Sequence, residues 1–389
     1  MGKCYFCNSS RTETIFYIKN CPIAGNFLEK TENDVLLPLN ILICKDCGIA
    51  QLDRDCFVPK ETLFKKYFYK THSINTLRNF FYTQAEELNS AFSKKMKILE
   101  IGGNSCPLGE RMVEHGHVFI NVDPSDTALH SNPPGVQLVN DFFDERVAYN
   151  IKATSGTMDI IYSANNFAHM EDLISAIRGI QTLLSDDGKL IIQVQDFEYL
   201  LEDLCFPFFY HEHLFYYTYY TLANLMSRYG FRLVNYFKNT IHGGSINCIF
   251  EKSTNKISID LQLAKLDLML DVFKSKIGRA EKEMHSFIAK VIADGKRIIA
   301  YGASGQANIL FAKFNITNKQ IPYIVDDAPL KLNKFTPFSH IEIKGSEFIN
   351  EYKPDYIFVT AYNFFDEIKG RTTNYKGKWI IPLPTLKEV

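Results

Sequence analysis

Residues 97–125 read KILEIGGNSCPLGERMVEHGHVFINVDPS, and this stretch decides the fold. It predicts a buried strand with Glu100 near its end, a glycine turn, a helix and a second strand that ends at Asp123. Short apolar strands and helical segments go on alternating after it, as in MDIIYSAN (158–165) and GKLIIQVQ (188–195). This βαβα order predicts an α/β fold whose sheet is mainly parallel, with helices on both faces.

Composition narrows the class of protein. The chain has 389 residues, a hydrophobic fraction of 46% and a net charge of −1, which indicates a globular protein of two or three domains. The near-zero charge argues against nucleic acid or an anionic membrane as a partner. There is no apolar run long enough to span a bilayer and no secretory signal, so we expect a cytoplasmic protein.

Three regions differ in pattern. Residues 1–72 carry cysteine pairs and lack long helical periodicity, whereas residues 73–253 begin with a predicted helix and hold the first α/β pattern. Residues 254–389 begin with a long amphipathic helical stretch, after which a second α/β pattern starts at RIIAYGAS (297–304). We therefore expect a small N-terminal domain, a central α/β domain and a C-terminal Rossmann-like domain.

Two CxxC pairs mark the N-terminal region: Cys4 with Cys7, and Cys44 with Cys47. Each pair presents two thiolates from one tight turn, and four thiolates complete a tetrahedral zinc site. Because such a shell leaves no position for water, the predicted role of the zinc ion is structural. The other cysteines are expected to be uninvolved: Cys21, Cys56, Cys106, Cys205 and Cys248.

The glycine turn after Glu100 predicts a nucleotide site. Gly102 and Gly103 permit close approach of the backbone to a ligand, and Asp123 at the end of the next strand suits two ribose hydroxyls. A NAD site shares this geometry, but the turn reads GGNSCP and lacks the GxGxxG pattern, which favours S-adenosylmethionine. The predicted cofactor contacts are Glu100, Gly102, Gly103, Asp123, Pro124, Ser125, Asp141, Phe142, Phe143 and Asn165.

Residues 207–217 read PFFYHEHLFYY, with two histidines and one glutamate among aromatic residues. One interpretation is a packed aromatic segment whose histidines are satisfied, and another is a metal-binding pair. Neither explains why His242 stands beside two glycines in IHGGS, or why His169 follows Asn165 and Asn166. We therefore treat this segment as a candidate active site.

Motifs along the whole chain carry a resemblance to one family. The chain resembles the sugar C-methyltransferases that act on nucleotide-linked 4-keto-deoxysugars. The matching motifs, in order, are CxxC…CxxC, EIGGN, VDPS, NNFAH, YHEH, HGGS, YGASGQAN, VDDAPLKLNKFTP and AYNFFDEI. The resemblance implies a zinc-binding domain, a class I methyltransferase domain and a Rossmann-like domain that together enclose a nucleotide sugar.

The resemblance also implies a mechanism. The ketone at C4 acidifies the C3 proton, a histidine removes that proton, and the enolate takes the methyl group of S-adenosylmethionine. Matching the YHEH motif makes His213 the base. The other residues implied at the catalytic centre are Glu212, Tyr210, His169 and Tyr69. Ser105 and Cys106 depart from the family, which would have an acid and a glycine there.

A second glycine turn, YGASGQAN (301–308), enters a helix whose N-terminus suits a phosphate. The alternative is a Rossmann-like domain kept for packing only. The resemblance favours binding of a TDP- or GDP-linked sugar. The predicted substrate contacts are His242, Gly244, Ser245, Tyr301, Ser304, Asn308, Asp326, Lys331 and Asn363.

Two other functions stay open at this point. A zinc ribbon beside a methyltransferase domain also fits an enzyme that acts on RNA, although the net charge argues against it. Methylation of a sugar oxygen or nitrogen would use the same cofactor and would need no enolate.

Overall fold

A computed structural model describes residues 2–59, 63, 71–73, 75–255 and 259–389. Its N-terminal part is an antiparallel sheet of three strands, with one further strand added from the middle of the chain. The three are β1 (Thr12–Pro22), β2 (Leu36–Cys44) and β3 (Ala50–Leu52). Alternate apolar positions in β1, such as Phe16 and Ile18, are buried, as expected for a strand with one solvated face.

The central part follows the predicted alternation of strands and helices. Its strands are β4 (Lys97–Ile101), β5 (Val118–Val122), β6 (Gln137–Val139), β7 (Met158–Ala164), β8 (Leu184–Gln195), β9 (Phe215–Tyr216), β10 (Phe231–Asn239) and β11 (Ser245–Lys252). Its helices are α1 (Asn75–Ser90), α2 (Pro107–Glu114), α3 (Asp126–Ser131), α4 (Glu145–Ser155), α5 (Leu173–Leu183), α6 (Phe197–Glu202) and α7 (Tyr219–Ser227).

Seven of these strands form one sheet in the order β10-β11-β8-β7-β4-β5-β6. Strands β4 to β8 pair in parallel, while β11 is antiparallel to both of its neighbours. The order in which the strands are added to the sheet reverses between β4 and β7. Ligands of open α/β sheets bind at the carboxyl ends of the strands at such a point. The predicted α/β class with a mainly parallel sheet is confirmed.

The C-terminal part starts with a 31-residue helix, α8 (Leu263–Ala293), which buries Leu266, Leu270 and Phe273. A six-stranded sheet follows in the order β14-β13-β12-β15-β16-β17, with only β17 antiparallel. Its strands are β12 (Ile298–Tyr301), β13 (Tyr323–Val325), β14 (Glu342–Lys344), β15 (Tyr356–Val359), β16 (Lys378–Ile381) and β17 (Lys387–Glu388). Its helices are α9 (Gly305–Phe314), α10 (Phe348–Tyr352) and α11 (Phe365–Arg371).

The three parts are packed against one another. Strand β9 joins the N-terminal sheet, because Tyr216 and Phe215 pair with Ala50 and Gln51 of β3. One buried apolar cluster contains side chains from all three parts, including Phe16, Phe209 and Phe314. Within the described ranges, no helix has the length and apolar character that crossing a membrane requires.

Candidate active site

The turn after β4 lies close to neighbouring backbone and side chains. Gly102 has φ +75°, and a Cβ there would collide with the side chain of Asn166. A Cβ on Gly103 would lie 2.7 Å from Asn121 Oδ1 and 2.8 Å from Glu100 Oε2. Both positions therefore require glycine, the first for its backbone angle and the second for space.

Asp123 connects this turn to the end of β5. One carboxylate oxygen accepts from the Asn104 amide at 2.8 Å, and the other accepts from the Ser125 amide at 2.8 Å and from its hydroxyl. Ser125 also caps α3 by accepting from the Ala128 amide. Each carboxylate oxygen has further lone pairs, so Asp123 is held rigidly and can still accept from a ligand.

Glu100 is buried beneath the turn and is 2% exposed. The Cys106 thiol donates to its Oε2 at 3.2 Å. Burial raises the pKa of the Glu100 carboxyl to about 7. Cys106, expected to be uninvolved, therefore lies in the turn and helps to satisfy a buried acid.

The predicted adenine side follows β6. The Arg146 guanidinium donates to Asp141 at 2.8 Å, and Phe142, the next residue in the chain, is 43% exposed. Phe143 packs against the main apolar cluster. Asn165 at the end of β7 has φ +54°, and its amide donates to the Gln193 carbonyl at 2.8 Å. These residues follow β6 and β7 at the same carboxyl edge of the sheet as Asp123, which follows β5.

Residues 71–73 attach the preceding segment to the glycine turn. The amide and hydroxyl of Thr71 donate to Asn104 Oδ1 at 3.2 and 3.3 Å, and the His72 amide donates to Ser105 Oγ at 3.1 Å. Ser105, which departs from the family pattern, thus has a local role. Tyr69, predicted at the catalytic centre, lies outside the described residues.

The YHEH segment brings three rings together. His213 is 6% exposed and lies with its ring centroid 4.1 Å from that of Tyr210 and 4.7 Å from that of His169. Its Nδ1 is 3.1 Å from the Phe208 carbonyl, which can only accept, so Nδ1 carries the proton. In the neutral imidazole Nε2 then carries the lone pair, and the Tyr210 hydroxyl lies 3.0 Å from it.

Glu212 and His169 complete this cluster, whereas His211 does not join it. His169 Nδ1 donates to the Glu212 carbonyl at 2.6 Å, and burial lowers the pKa of the His169 imidazole, which keeps it neutral. Burial raises the pKa of the Glu212 carboxyl to about 7. His211 Nε2 instead donates to the Pro38 carbonyl at 3.1 Å.

Glu212 and His169 also line a small cavity. The other residues around it are Phe57, Val58, Leu63, Glu171 and Leu214. The cavity therefore lies between the N-terminal part of the chain and the YHEH segment.

The IHGGS turn meets the C-terminal part. A Cβ on Gly243 would lie 3.0 Å from Phe208 and 3.5 Å from Asn363 Nδ2, while Gly244 has φ +109° and lies against Tyr199. Ser245 is buried and donates to the Ile241 carbonyl at 2.9 Å. Asn363 is thereby brought next to this turn, and the side chain of His242 is outside the part that the structure describes.

The second glycine turn is largely engaged within the chain. Ser304 caps α9, and Asn308 donates to the Ala24 carbonyl at 2.7 Å. Lys331 donates to the Ala303 carbonyl at 2.7 Å and lies 3.1 Å from Asp326. Tyr301 donates to Asp327 at 2.9 Å. These contacts join the turn to the N-terminal part and to its own domain, and none of them involves the YHEH rings.

The four cysteines of the two CxxC pairs converge. The sulfur atoms of Cys4, Cys7, Cys44 and Cys47 all lie within 4.8 Å of one another. A Zn–S bond of about 2.3 Å gives tetrahedral S–S edges of about 3.8 Å, which fits this spacing. The two turns share one geometry, because the residue after each pair, Asn8 or Gly48, has positive φ.

Sequence reasoning missed Asn121 and the contacts of Thr71 and His72. Asn121 accepts from the Gly103 amide at 3.2 Å and donates to the Asn104 carbonyl at 3.3 Å. The signal was present, since Asn121 is the polar residue inside the apolar strand VFINV. The contacts of residues 71 and 72 had no signal in the sequence.

Family models match two adjoining stretches of the chain. A methyltransferase domain matches residues 76–236, and a C-methyltransferase C-terminal domain matches residues 240–384. A curated relative, the C-methyltransferase NovU of Streptomyces niveus, is 24% identical over 406 aligned positions, covering 99% of this chain and 96% of its own.

Similar solved structures cover about half of the chain. The 1,6-didemethyltoxoflavin-N1-methyltransferase of Burkholderia thailandensis is 15% identical and covers 53% of this chain and 95% of its own, with a TM-score of 0.38. The PH0226 protein of Pyrococcus horikoshii is 16% identical and covers 50% and 100%, with a TM-score of 0.37. The two family models and the full-length relative establish that the chain is a C-methyltransferase, an enzyme that uses S-adenosylmethionine as methyl donor.

Proposed function

We propose that the enzyme methylates C3 of a nucleotide-linked 4-keto-deoxysugar, with His213 as the base that forms the enolate. The observation that carries this proposal is the orientation of His213. Its Nδ1–H is held by the Phe208 carbonyl, so Nε2 presents a lone pair inside a largely buried group of rings. A neutral imidazole fixed in this tautomer suits removal of a carbon-bound proton.

The reaction divides between the two sites. Nε2 of His213 takes the C3 proton, the C–H electron pair forms the C3–C4 double bond, and O4 receives the carbonyl π electrons. The Tyr210 hydroxyl, 3.0 Å from Nε2, is displaced from the lone pair and donates to O4. When bound, S-adenosylmethionine would supply an electrophilic methyl group. C3 would form the new carbon–carbon bond as the sulfur–methyl bond breaks, with its electron pair left on sulfur, and the C4 carbonyl would reform.

Glu212 and His169 support the base in different ways. His169 holds the main chain between Glu212 and His213 by donating to the Glu212 carbonyl, and so positions the base. Burial places the pKa of the Glu212 carboxyl near 7, so its protonated form can donate to a sugar oxygen. Tyr69 is proposed to contribute to the same pocket.

The donor site is assigned to the edge of β4, β5 and β7. Gly102 and Gly103 permit close approach, and Asp123 is proposed to accept from the two ribose hydroxyls. The remaining assigned contacts are Glu100, Pro124, Ser125, Asp141, Phe142, Phe143 and Asn165. Exposed Phe142 supplies an aromatic face next to the proposed adenine position.

Roles are also proposed for the cysteine cluster and for the IHGGS turn. The four N-terminal cysteines are proposed to hold a structural Zn²⁺, whose closed shell leaves no open position. The IHGGS turn and Asn363, which approach each other, are proposed to bind the nucleotide sugar. The near-zero net charge of −1 and catalysis on a nucleotide sugar agree with a cytoplasmic role in branched-chain deoxysugar biosynthesis.

Proton exchange tests the proposal. Without methyl donor and in D₂O, the wild-type enzyme should exchange the C3 proton of a TDP- or GDP-linked 4-keto-deoxysugar. His213→Asn should lose both exchange and methylation, with donor affinity unchanged in a binding titration. His211→Asn is the matched control, because His211 contacts the Pro38 carbonyl and not the ring cluster. The folded His211→Asn variant should still exchange the C3 proton. Full turnover by His213→Asn would refute the mechanism, and a product methylated on oxygen or nitrogen would refute the reaction.

A further inference from the structure

Two buried carboxamides lie side by side in the central sheet. Strands β8 and β11 pair antiparallel, with Gln193 directly opposite Asn247. Both side chains are fully buried, at 0% exposure. Within the part of the chain that the structure describes, no oxygen or nitrogen of either carboxamide has a hydrogen-bond partner. Four unpartnered polar atoms at one point in a packed sheet are unfavourable unless a ligand satisfies them.

The pair lies on the sheet face nearest the donor turn. Side chains alternate along a strand, so Gln193 shares a face with Ile191, and Asn247 shares it with Ile249. Ile191 and Ile249 pack in the apolar cluster that also contains Phe81 of α1 and Cys106 of the turn. The carboxamide pair is therefore on the α1 side of the sheet.

The pair also lies near the carboxyl edge. Ala164, the last residue of β7, is the register partner of Gln193 on its other side. The next residue is Asn165, whose amide donates to the Gln193 carbonyl at 2.8 Å. Asn166 follows and lies against Gly102. Gln193 is thus connected to the donor turn through Asn165 and Asn166, at the edge where α/β sheets bind ligands.

We propose that Gln193 and Asn247 lie beneath the acceptor pocket and hydrogen-bond a neutral hydroxyl group of the sugar when the bound substrate displaces the side chains that cover them. This inference rests on the proposed function and adds a specificity determinant to it. Each carboxamide offers donors and an acceptor, and a hydroxyl pairs with both kinds of group. Burial beside Ile191 and Ile249 disfavours an ammonium or phosphate at this point. The preferred acceptor is therefore hydroxylated, not aminated, where its ring meets the pair.

Gln51 provides a matched comparison within the chain. It is also 0% exposed, but its Oε1 accepts from the Tyr5 amide at 3.0 Å and its Nε2 donates to the Lys3 carbonyl at 3.2 Å. Removing a partnered buried carboxamide costs stability, whereas removing an unpartnered one does not. A purely structural role would make Gln193 behave like Gln51.

The experiment compares Gln193→Met and Asn247→Leu with Gln51→Met in the full-length enzyme. Each variant of the pair should raise the acceptor KM by tenfold or more, leave the KM of the methyl donor within twofold, and not lower Tm. Gln51→Met should lower Tm and leave the acceptor KM unchanged. If Asn247→Leu does not fold, Gln193→Met alone decides.

Three TDP-linked 4-keto sugars complete the test: one with a ring hydroxyl, its deoxy analogue and its amino analogue. The wild-type enzyme should prefer the hydroxylated sugar, and Gln193→Met should reduce that preference. An active wild-type enzyme whose variants keep their acceptor KM within twofold, or a preference for the amino sugar, overturns this inference alone. A wild-type enzyme that neither exchanges nor methylates any keto sugar overturns the proposed function and this inference with it.

Discussion

The molecule contains two glycine turns between a strand and a helix, and their surroundings differ. Around Gly102–Gly103, Asp123 and Asn121 point polar atoms at the turn, and Glu100 lies beneath it. Around Gly302–Gly305, the corresponding strand position is Ala300, and a Cβ on Gly305 would lie 3.1 Å from Ala24. A glycine turn thus indicates close approach, and what approaches is decided by the neighbouring strand and by distant parts of the chain.

The largest expected effect concerns the segment that packs on the second turn. Cys44→Ser, or removal of zinc by a chelator, should loosen β1–β3 and with them the contact of Ala24 with Asn308. Hydrogen exchange at amides 305–308 should accelerate by several orders of magnitude, whereas amides 102–106 should change little. Cys56→Ser, a buried cysteine outside the cluster, is the control. Equal acceleration at both turns, or none at either, would show that the N-terminal strands do not hold the second turn specifically.

Asp123 tests the first turn. Asp123→Ala should weaken binding of S-adenosylmethionine by 100-fold or more, about 3 kcal/mol, through loss of charge-assisted bonds to the ribose hydroxyls. The affinity is measured by calorimetric titration with S-adenosylmethionine. Asp126→Ala, which removes a nearby carboxylate, is the control variant. An Asp123→Ala affinity within fivefold of wild type would show that the first turn is no more a donor site than the second.

Glu100 makes the first turn sensitive to pH, and Ala300 leaves the second without an equivalent group. The pKa of Glu100 is raised to about 7 by burial, so the folded protein holds a proton that the unfolded chain releases near pH 4.5. The contribution of this group to stability is therefore lost as pH rises from about 4.5 to 7, by at most about 3 kcal/mol. Glu100→Gln should flatten this part of the pH profile of unfolding free energy without donor bound. The pKa of Glu212 is raised similarly, so Glu212 contributes the same pH dependence of the unfolding free energy in the wild-type protein and in Glu100→Gln. Identical profiles would contradict the prediction.

Lys331 gives the smallest expected effect. If the second turn binds the nucleotide, Lys331 must give up its contacts with the Ala303 carbonyl and the Asp326 carboxylate to bind phosphate oxygens. The loss of these contacts limits the net gain in binding free energy. Lys331→Met should raise the acceptor KM about tenfold, or about 1.4 kcal/mol, with the donor KM unchanged. Exposed Lys319→Met serves as control. An unchanged acceptor KM would favour a domain kept for packing.

Local patterns explain which parts of the molecule could be predicted from the sequence. The turn at Gly102, the acid Asp123 at the end of the next strand and the cysteine spacings each involve neighbouring residues or a fixed period, so they could be predicted. The ring cluster required the family resemblance, because His169 and His213 are far apart in the chain.

Contacts between distant segments could not be predicted. The YGASGQAN motif predicts that Asn308 contacts the substrate, but it does not predict that the Asn308 carboxamide donates to the Ala24 carbonyl, 284 positions earlier. The hydrogen bond from Thr71 to Asn104 joins residues 33 positions apart and depends on tertiary packing, which no local pattern predicts. The pairing of Gln193 with Asn247 depends on the register of two antiparallel strands, which no periodicity in either strand reveals.

Strand β9 has a consequence for how this enzyme can be recombined with its relatives. Its first residue lies two positions after His213 of the YHEH segment, yet the strand completes the N-terminal sheet by pairing with Ala50 and Gln51. A chimaera joined at residue 72, between the cysteine-bearing region and the next, would cut across this sheet and pair β3 of one parent with β9 of the other. Gene fusions that exchange the first 72 residues should therefore carry residues 206–217 from the same parent, so that the sheet and the base are inherited together.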